Sequence, residues 1–430
     1  MKNNFIKNNG INDIINIDDE FESIYNKMEF SNENLFITGK AGTGKTTLVE
    51  YFQVNSKKNF IILASTGISA IKAKGKTIHS FFLFPPRILI DEKIKRLRSQ
   101  VIKKVDTILI DECSMIRCDV LDAIDKSLKL NRNTDKIFGG VQIILLGDIY
   151  QLPPVIRENE KEIFNNFYPM GHHFYHAKCY DQTKIKTYEL TKIYRQKDKV
   201  FIDILNKIRI GKIDNSDLLA LNIKVLNKNS KIPLETIILS PTNRKVDEIN
   251  NANLHSINSK AFSYQSTQTG DFKDKPADEI LELKIGAQVM LIKNDNKSPK
   301  RWVNGSIGIV TDLSNDSIHV KIKNNIYKIN KDTWEKFDYL IENEKVNHQV
   351  VATFTQYPIK LAWAVTIHKS QGQTFEKAII DLDTGSFAYG QTYVALSRVT
   401  SLEGLFLTRA IKMSDIKFED NLNLLAVYNS

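Results

Sequence analysis

The segment with the most specific chemistry is a glycine-rich loop near the N-terminus, Gly39-Lys-Ala-Gly-Thr-Gly-Lys-Thr46. It follows a short apolar run, Leu35–Thr38, and precedes a helical stretch, Thr47–Phe52. Glycines in such a loop let successive backbone N–H groups point at phosphate oxygens, and the helix N-terminus adds a favourable dipole. The pattern predicts a P-loop in which Lys45 reaches the β- and γ-phosphates and the Thr46 hydroxyl ligates Mg²⁺.

Two carboxylates and a glutamine follow later apolar runs and would complete a site for nucleotide hydrolysis. Asp111 and Glu112 end one such run, where Asp111 can hold Mg²⁺ and Glu112 can orient and deprotonate the attacking water. Gln151 precedes two prolines that stiffen the chain, and a rigidly mounted amide can hydrogen-bond a γ-phosphate. Within and beside the loop, the residues expected to contact the nucleotide are Gly39, Ala41, Gly42, Thr43, Gly44, Lys45, Thr46 and Thr47.

Buried parallel strands must hold these residues in place. The first half contains β-branched-rich runs of strand length at Leu35–Thr38, Phe60–Ala64, Thr107–Ile110 and Val141–Leu146. They lack polar/apolar alternation, which predicts burial on both faces, and the helical stretches between them predict a parallel sheet. The second half repeats the pattern at Thr187–Leu190, Thr236–Ser240, Ala378–Leu382 and Leu405–Thr408. We therefore expect two α/β domains.

Two segments depart from this pattern. Apolar residues recur at helical spacing between Ile90 and Val105, with lysines and arginines elsewhere on the predicted helix. This basic face is either solvated or a nucleic-acid contact. The second segment, 281–357, has short strands separated by turn residues and predicts a small inserted barrel, and the polar stretch Ser256–Glu279 before it predicts a loop.

Composition restricts the class of protein. The 430 residues are 42% hydrophobic and 26% charged, with a net charge of +10, which favours a polyanionic partner. No apolar stretch is long enough to span a membrane, and three cysteines cannot form a disulfide framework. We therefore expect a cytoplasmic protein with no membrane partner.

Ten motifs follow one another in an order that points to one family. They are the P-loop, Ala64–Ala70, Gly75–Phe82, Asp111–Met115, Phe138–Gln142 with Gly147–Val155, Leu190–Gln196, Ser240–Asn243, Val303–Gly308, Leu361–Gly372 and Gly390–Arg398. In these motifs the chain resembles a superfamily-one helicase of the Pif/RecD-like group, most closely the Pif type. The resemblance implies ATP and Mg²⁺ as cofactors and a monomer that moves 5′-to-3′ on single-stranded DNA and unwinds duplex junctions.

The resemblance also implies an α/β fold with two RecA-like P-loop NTPase domains, a small wedge insertion and an inserted Src-homology-like β-barrel. The expected boundaries are 1–81 and 105–180 for the first domain, 82–104 for the wedge, 181–280 and 358–430 for the second domain, and 281–357 for the barrel.

Individual roles follow from the matched motifs. Arg195 and Arg398 are expected to reach the γ-phosphate from the second domain, Gln151 to sense that phosphate, and Gly372 to contact the nucleotide. The expected DNA-facing residues are Thr66, Gly67, His79, Asn243, His368 and Lys369. Many relatives read adenine with a glutamine before the P-loop, but residues 1–38 contain none. Phe21 and Tyr25 are the candidates to stack on the base instead.

Two other functions remain open at this point. A nucleic-acid-stimulated NTPase could translocate, on RNA for example, without separating strands efficiently. A nucleotide-gated single-strand binding module is the non-enzymatic alternative. Glu112, Arg195 and Arg398 argue against the binding module, because binding alone needs no group that activates water.

Overall fold

A computed structural model describes residues 18–90, 94–194, 198–227, 233, 235–297, 300–383, 385–386 and 388–418. Within these ranges, no helix has the length and apolar character needed to cross a membrane.

The first domain is built on one six-stranded sheet with helices around it. Its strands are β1 (Leu35–Gly39), β2 (Phe60–Ala64), β3 (Lys76–Thr77), β4 (Thr107–Asp111), β5 (Gln142–Leu146) and β6 (Lys186–Leu190). Its helices are α1 (Asp19–Phe30), α2 (Lys45–Asn55), α3 (Gly67–Lys72), α4 (Ile78–Phe82), α5 (Val101–Lys104), α6 (Cys118–Arg132), α7 (Lys161–Phe167) and α8 (Tyr180–Thr183). All neighbouring strands are parallel, in the order β3-β2-β4-β5-β1-β6.

Burial on both faces explains the continuous apolar runs of this sheet. In β1, Phe36 packs into the core on one face, whereas Leu35 and Ile37 pack into the core on the other. The four predicted strands of the first half are confirmed. The prediction for Thr187–Leu190 is wrong in its placement, because β6 pairs along its whole length with β1 and extends the first domain beyond residue 180.

The second half contains the remaining elements. The helices are α9 (Lys199–Arg209), α10 (Asn215–Asn222), α11 (Asn243–Ser256) and α12 (Gln391–Leu396). The strands are β7 (Ile237–Ser240), β8 (Ala261–Gln265), β9 (Thr267–Thr269), β10 (Ile280–Lys284), β11 (Gln288–Leu291), β12 (Ile307–Ser314), β13 (Ser317–Ile322), β14 (Asn325–Ile329), β15 (Asp332–Glu342), β16 (Lys345–Gln356), β17 (Ile359–Leu361), β18 (Ala364–Thr366), β19 (Ala378–Ile380) and β20 (Leu405–Leu407). A parallel four-stranded sheet in the order β18-β7-β19-β20 forms the second domain.

The insertion between β7 and β18 differs from the predicted closed barrel. Its described strands form an open antiparallel five-stranded sheet in the order β14-β13-β12-β11-β17, a three-stranded sheet β15-β16-β9 and a pair β10-β8. The loop predicted over Ser256–Glu279 is wrong, because β8 and β9 lie there and pair with β10 and β16. Strands supplied from later in the chain stabilise this polar stretch, so its own composition does not reveal them.

The helix predicted from Ile90 to Val105 is also wrong for most of its described length. Only α5 is helical, and residues 94–99 are irregular. The apolar side chains that suggested the helix instead pack against the first domain, where Val101 and Val105 are buried. The Leu97 N–H donates to the Asn131 side-chain oxygen at 2.7 Å, which replaces a helical hydrogen bond.

Strands β15 and β16 form a long hairpin, which we call the arm, that reaches back to the first domain. The Tyr339 hydroxyl in β15 bonds to the backbone N–H and C=O of Ile62 in β2, and Lys76 pairs with Asp338 at 2.8 Å. The insertion therefore contacts both domains.

Candidate active site

The P-loop joins β1 to α2 through backbone conformations that require glycine. Gly42 and Gly44 have φ values of 84° and 91°, in the left-handed region where a side chain would be strained. Gly44 lies at the N-terminus of α2, directly before Lys45. The Lys45 ammonium lies within the loop and donates to the carbonyl oxygens of Gly39 and Lys40 at 2.6 and 3.1 Å.

A cleft of about 620 Å³ opens above this loop. The predicted nucleotide contacts that line it are Ala41, Gly42, Thr43, Gly44, Lys45, Thr46, Thr47, Asp111, Glu112, Gln151, Gly372 and Arg398. Gly39 instead lies at the base of the loop, where its carbonyl accepts from Lys45. Arg195 lies outside the described residues. The cleft thus brings together residues from both domains.

The two carboxylates occupy one edge of the cleft. Asp111 ends β4, and Glu112 follows in a left-handed conformation, with φ 52° and ψ 47°, that is uncommon for a residue with a side chain. Burial and the charge of Glu112 raise the pKa of Asp111 to about 6, while Lys72 and Lys45 oppose that shift. Because positive charge lowers this pKa, a cation near Asp111 favours its ionised form.

Arg398 approaches the cleft from the second domain, just after α12 ends. Its side chain is buried, and its Nε donates to the Val394 carbonyl at 2.9 Å while Nη2 donates to the Ser397 hydroxyl at 2.7 Å. Gln371 of the second domain lies 3.5 Å from the Gln151 side-chain oxygen of the first. The two hydrogen bonds of Arg398 hold its guanidinium in one orientation before any phosphate contact.

The cleft is also lined by four residues that the sequence did not predict for the site, Lys72, Gly147, Tyr194 and Thr374. Tyr194 lies beside Gly44 with its ring in contact distance of the P-loop, and its N–H donates to the Gly42 carbonyl at 2.9 Å. Lys72 reaches from α3 toward Gly372. Tyr194 precedes Arg195 within a matched motif, and this proximity was the available signal. Of the two candidates for base stacking, Phe21 lines the cleft, whereas Tyr25 packs edge-on against Tyr51, with ring centroids 5.0 Å apart.

The predicted DNA-facing residues occupy equivalent places in the two domains. Thr66 and Gly67 follow β2, and His79 follows β3, its parallel neighbour. Asn243 follows β7, whereas His368 and Lys369 follow β18, which is also a parallel neighbour. Each group therefore lies at the carboxyl ends of two adjacent strands, and Thr66 caps α3 by accepting from the Ser69 N–H.

A second cavity, of about 490 Å³, separates the first of these groups from the insertion. Gly67 and His79 line one side, and Asp271 and Asp274 line the other. A Cβ atom at Gly67 would lie 2.3 Å from the Asp274 carboxyl carbon, so any larger residue there would have to displace the Asp274 side chain. Burial and the charge of Arg117 lower the pKa of His79, and burial lowers the pKa of His368, which favours the neutral imidazoles.

Comparison with known proteins identifies the family. The family model for the PIF1-like helicase matches residues 16–218. The ATP-dependent DNA helicase Pif1 of Bdellovibrio bacteriovorus is 33% identical over 394 residues, covering 88% of this chain and 84% of that protein. A crystal structure of Bacteroides sp Pif1 with ADP-AlF4 is 36% identical, covers 96% of this chain and 95% of that one, and has a TM-score of 0.86.

A second Bacteroides structure has the same sequence identity to this chain but a lower structural similarity. Bacteroides Pif1 bound to single-stranded DNA is also 36% identical and covers 96% of each chain, but its TM-score is 0.68. At equal identity, the structure of this chain is therefore less similar to the DNA-bound relative than to the ADP-AlF4 complex. By these similarities the chain belongs to the family of PIF1-like helicases.

Proposed function

We propose that this protein is an ATP-dependent DNA helicase that moves 5′-to-3′ along single-stranded DNA and unwinds duplex at junctions. The observation that carries the proposal is the cleft itself, which combines a P-loop and two strand-end carboxylates from one domain with Arg398 from the other. A nucleotide that contacts both sides draws the domains together, and its hydrolysis releases them. The direction of movement rests on membership of the family alone.

The residues of the cleft fit a Mg²⁺–nucleotide complex. Its oxygen donors, the Thr46 hydroxyl and the Asp111 carboxylate, are the hard ligands that Mg²⁺ prefers, and the cation would neutralise phosphate charge there. Lys45 would bind the β- and γ-phosphates, and Glu112 would orient the attacking water and take its proton. Gln151 would bond to the γ-phosphate, and Arg195 and Arg398 would stabilise negative charge in the transition state.

Two DNA grips, one on each domain, would turn closure of the cleft into movement. Thr66, Gly67 and His79 form the first grip, and Asn243, His368 and Lys369 the second. Hydroxyl, amide and backbone groups suit contacts with sugar and phosphate, which hold a strand of any sequence. The crystal structure of Bacteroides Pif1 bound to single-stranded DNA supports DNA as the ligand of such grips, because that relative has the same family fold.

We also propose a division of the chain that follows its sheets. The first domain would run to β6, and the Src-homology-like module would be the five-stranded sheet from β11 to β17, which encloses its own core around Val289, Val310 and Ile359. The remaining strands of the insertion would form the arm and its support.

A strand-displacement assay tests the proposed function. Duplexes with a 5′ or a 3′ single-stranded tail are compared with ATP and Mg²⁺, with Lys45→Ala as the inactive control. We expect unwinding of the 5′-tailed duplex only. Preferential unwinding of the 3′-tailed duplex would contradict the direction. ATP hydrolysis that single strands stimulate without unwinding of either duplex would favour the translocase. Stronger stimulation by RNA than by DNA would favour a translocase that acts on RNA.

A further inference from the structure

One tyrosine of the second domain contacts two loops of the first. Tyr393 in α12 is 4% exposed, and its hydroxyl lies 3.3 Å from the Ala41 backbone nitrogen in the P-loop and 3.2 Å from Oδ2 of Asp148, which follows β5. An N–H only donates and a carboxylate only accepts, so the hydroxyl accepts from Ala41 and donates to Asp148. A single oxygen therefore links α12 to the loop before α2 and to the loop that carries Gln151.

Asp148, which accepts the hydrogen bond from Tyr393, also bonds to a second residue of the second domain. Oδ1 of Asp148 accepts from Nε and Nη2 of Arg209 at 3.3 and 3.2 Å, and both side chains are almost fully buried. The guanidinium also lies 4.4 Å above the ring of Tyr150, next to Gln151. The Tyr150 N–H of the same loop also donates to Oδ1, at 3.2 Å. Arg209 and Tyr393 of the second domain thus bond to the two oxygens of the Asp148 carboxylate and add to its local support.

The same short helix also positions Arg398. It begins after Gly390, where a Cβ atom would lie only 2.4 Å from the Tyr150 carbonyl oxygen, and Arg398 follows its last turn. The helix thus contacts the Gln151 loop at its start and the P-loop through Tyr393, and it directs Arg398 into the cleft at its end. Among the described residues that line the cleft, Tyr393 is absent, so it acts through its neighbours.

We propose that Tyr393 is a positioning residue for ATP hydrolysis, whose hydroxyl aligns the P-loop and the Gln151 loop with Arg398 when the cleft closes. The inference rests on the proposed function. Such alignment matters most in the closed geometry of the transition state, so its loss lowers kcat more than it raises KM. A hydrogen bond to a charged group stabilises by about 1.5–3 kcal/mol, equivalent to a rate effect of roughly ten-fold to a hundred-fold.

Steady-state ATP hydrolysis with saturating single-stranded DNA tests the proposal. Tyr393→Phe keeps the buried ring and removes only the hydroxyl, and we expect kcat to fall at least about ten-fold with KM changed less than about three-fold. Tyr389→Phe, at a neighbouring exposed tyrosine, is the matched control and should hydrolyse ATP at the wild-type rate. An unchanged kcat for Tyr393→Phe, or a change confined to KM, would overturn the inference.

A double-mutant cycle separates positioning from general destabilisation. If Tyr393 acts through Arg398, Tyr393→Phe should lower kcat less than about two-fold once Arg398→Ala is present, because the aligned group is gone. The same fold loss in both backgrounds would refute the link to Arg398. Wild-type protein that fails to hydrolyse ATP would instead contradict the proposed function, so the two failures are distinguishable.

Discussion

Removal of one hydroxyl group tests how the arm is held on the first domain. In Tyr339→Phe the ring remains buried, but the hydroxyl that donates to the Ile62 carbonyl at 2.9 Å and accepts from the Ile62 N–H at 2.8 Å is lost. Strand β3 pairs only with Leu63 and Ala64 of β2, so Tyr339 takes the place of a neighbouring strand at Ile62. The phenol is thus a structural part of the sheet edge.

The magnitude follows from counting the groups left without partners. The Ile62 N–H would be buried and unsatisfied, which costs about 1–3 kcal/mol, and the carbonyl would lose a bond with a net contribution of about 1 kcal/mol. The adjacent Lys76–Asp338 pair, with Asp338 46% exposed, contributes about 1 kcal/mol or less and cannot compensate. We therefore expect the arm contact to weaken by about 2–4 kcal/mol.

Amide hydrogen exchange over β2 measures this loss directly. Because each 1.4 kcal/mol changes an equilibrium about ten-fold, exchange at Ile62 should accelerate between about 30-fold and several hundred-fold. Tyr264→Phe is the matched control, since its hydroxyl bonds to the Ser314 carbonyl within the insertion and its loss should leave β2 unchanged. Equal protection of Ile62 in wild type and Tyr339→Phe would refute the reasoning.

Three further predictions concern the motor. Glu112→Gln should bind Mg²⁺–ATP but lower kcat by about 10²–10⁴-fold, measured as phosphate release, because the water loses its base. Arg398→Ala should lower kcat by about 10³-fold or more with a much smaller change in nucleotide affinity. Burial and the charge of Lys369, a proposed DNA-facing residue, lower the pKa of Lys360 to about 8. Deprotonation of Lys360 removes a positive charge that acts on this grip, so single-stranded DNA affinity should fall by up to about five-fold as pH rises from about 7 to 9, and should fall less in Lys360→Arg. In the unfolded chain the pKa of this lysine is 10.5, so its titration makes the free energy of unfolding rise between about pH 8 and 10.5. Loss of DNA affinity from this group is therefore not accompanied by a loss of stability from the same group.

Local patterns predicted the parts of the fold that are determined by local sequence. The strands β1, β2, β4 and β5 lie where continuous apolar runs placed them, because burial on both faces of a parallel sheet demands such runs. The P-loop could be predicted equally well, since Gly42 and Gly44 adopt φ values that other residues rarely adopt. In these segments residue type and conformation are tied within a few residues.

Pairing between distant segments was not predictable in this way. Nothing within Lys186–Leu190 distinguishes a strand beside β1 from a strand of the second sheet, and the partners of β8 and β9 follow later in the chain. The apolar spacing after Ile90 was compatible with a helix, but the same side chains can cover a neighbouring core from an irregular backbone. The competing energy in each case is tertiary packing, which periodicity does not record.

The contacts that cross between the domains are the extreme case of this limit. Tyr393, Asp148 and Arg209 are ordinary residue types. Their functional meaning arises only when three separate segments bring Tyr393 and Arg209 within 3.3 Å of the two oxygens of Asp148. Motif residues such as Lys45 act on a ligand whose chemistry is known in advance, so their types can be interpreted from sequence. Residues that couple the two domains, such as Tyr393, act on other residues. Their amino-acid type is constrained only by the residue they contact across the cleft. A motor that converts closure of the cleft into movement depends on both ligand-binding residues and residues that couple the domains. Its ligand-binding residues can therefore be predicted from the sequence more readily than the contacts that couple its domains.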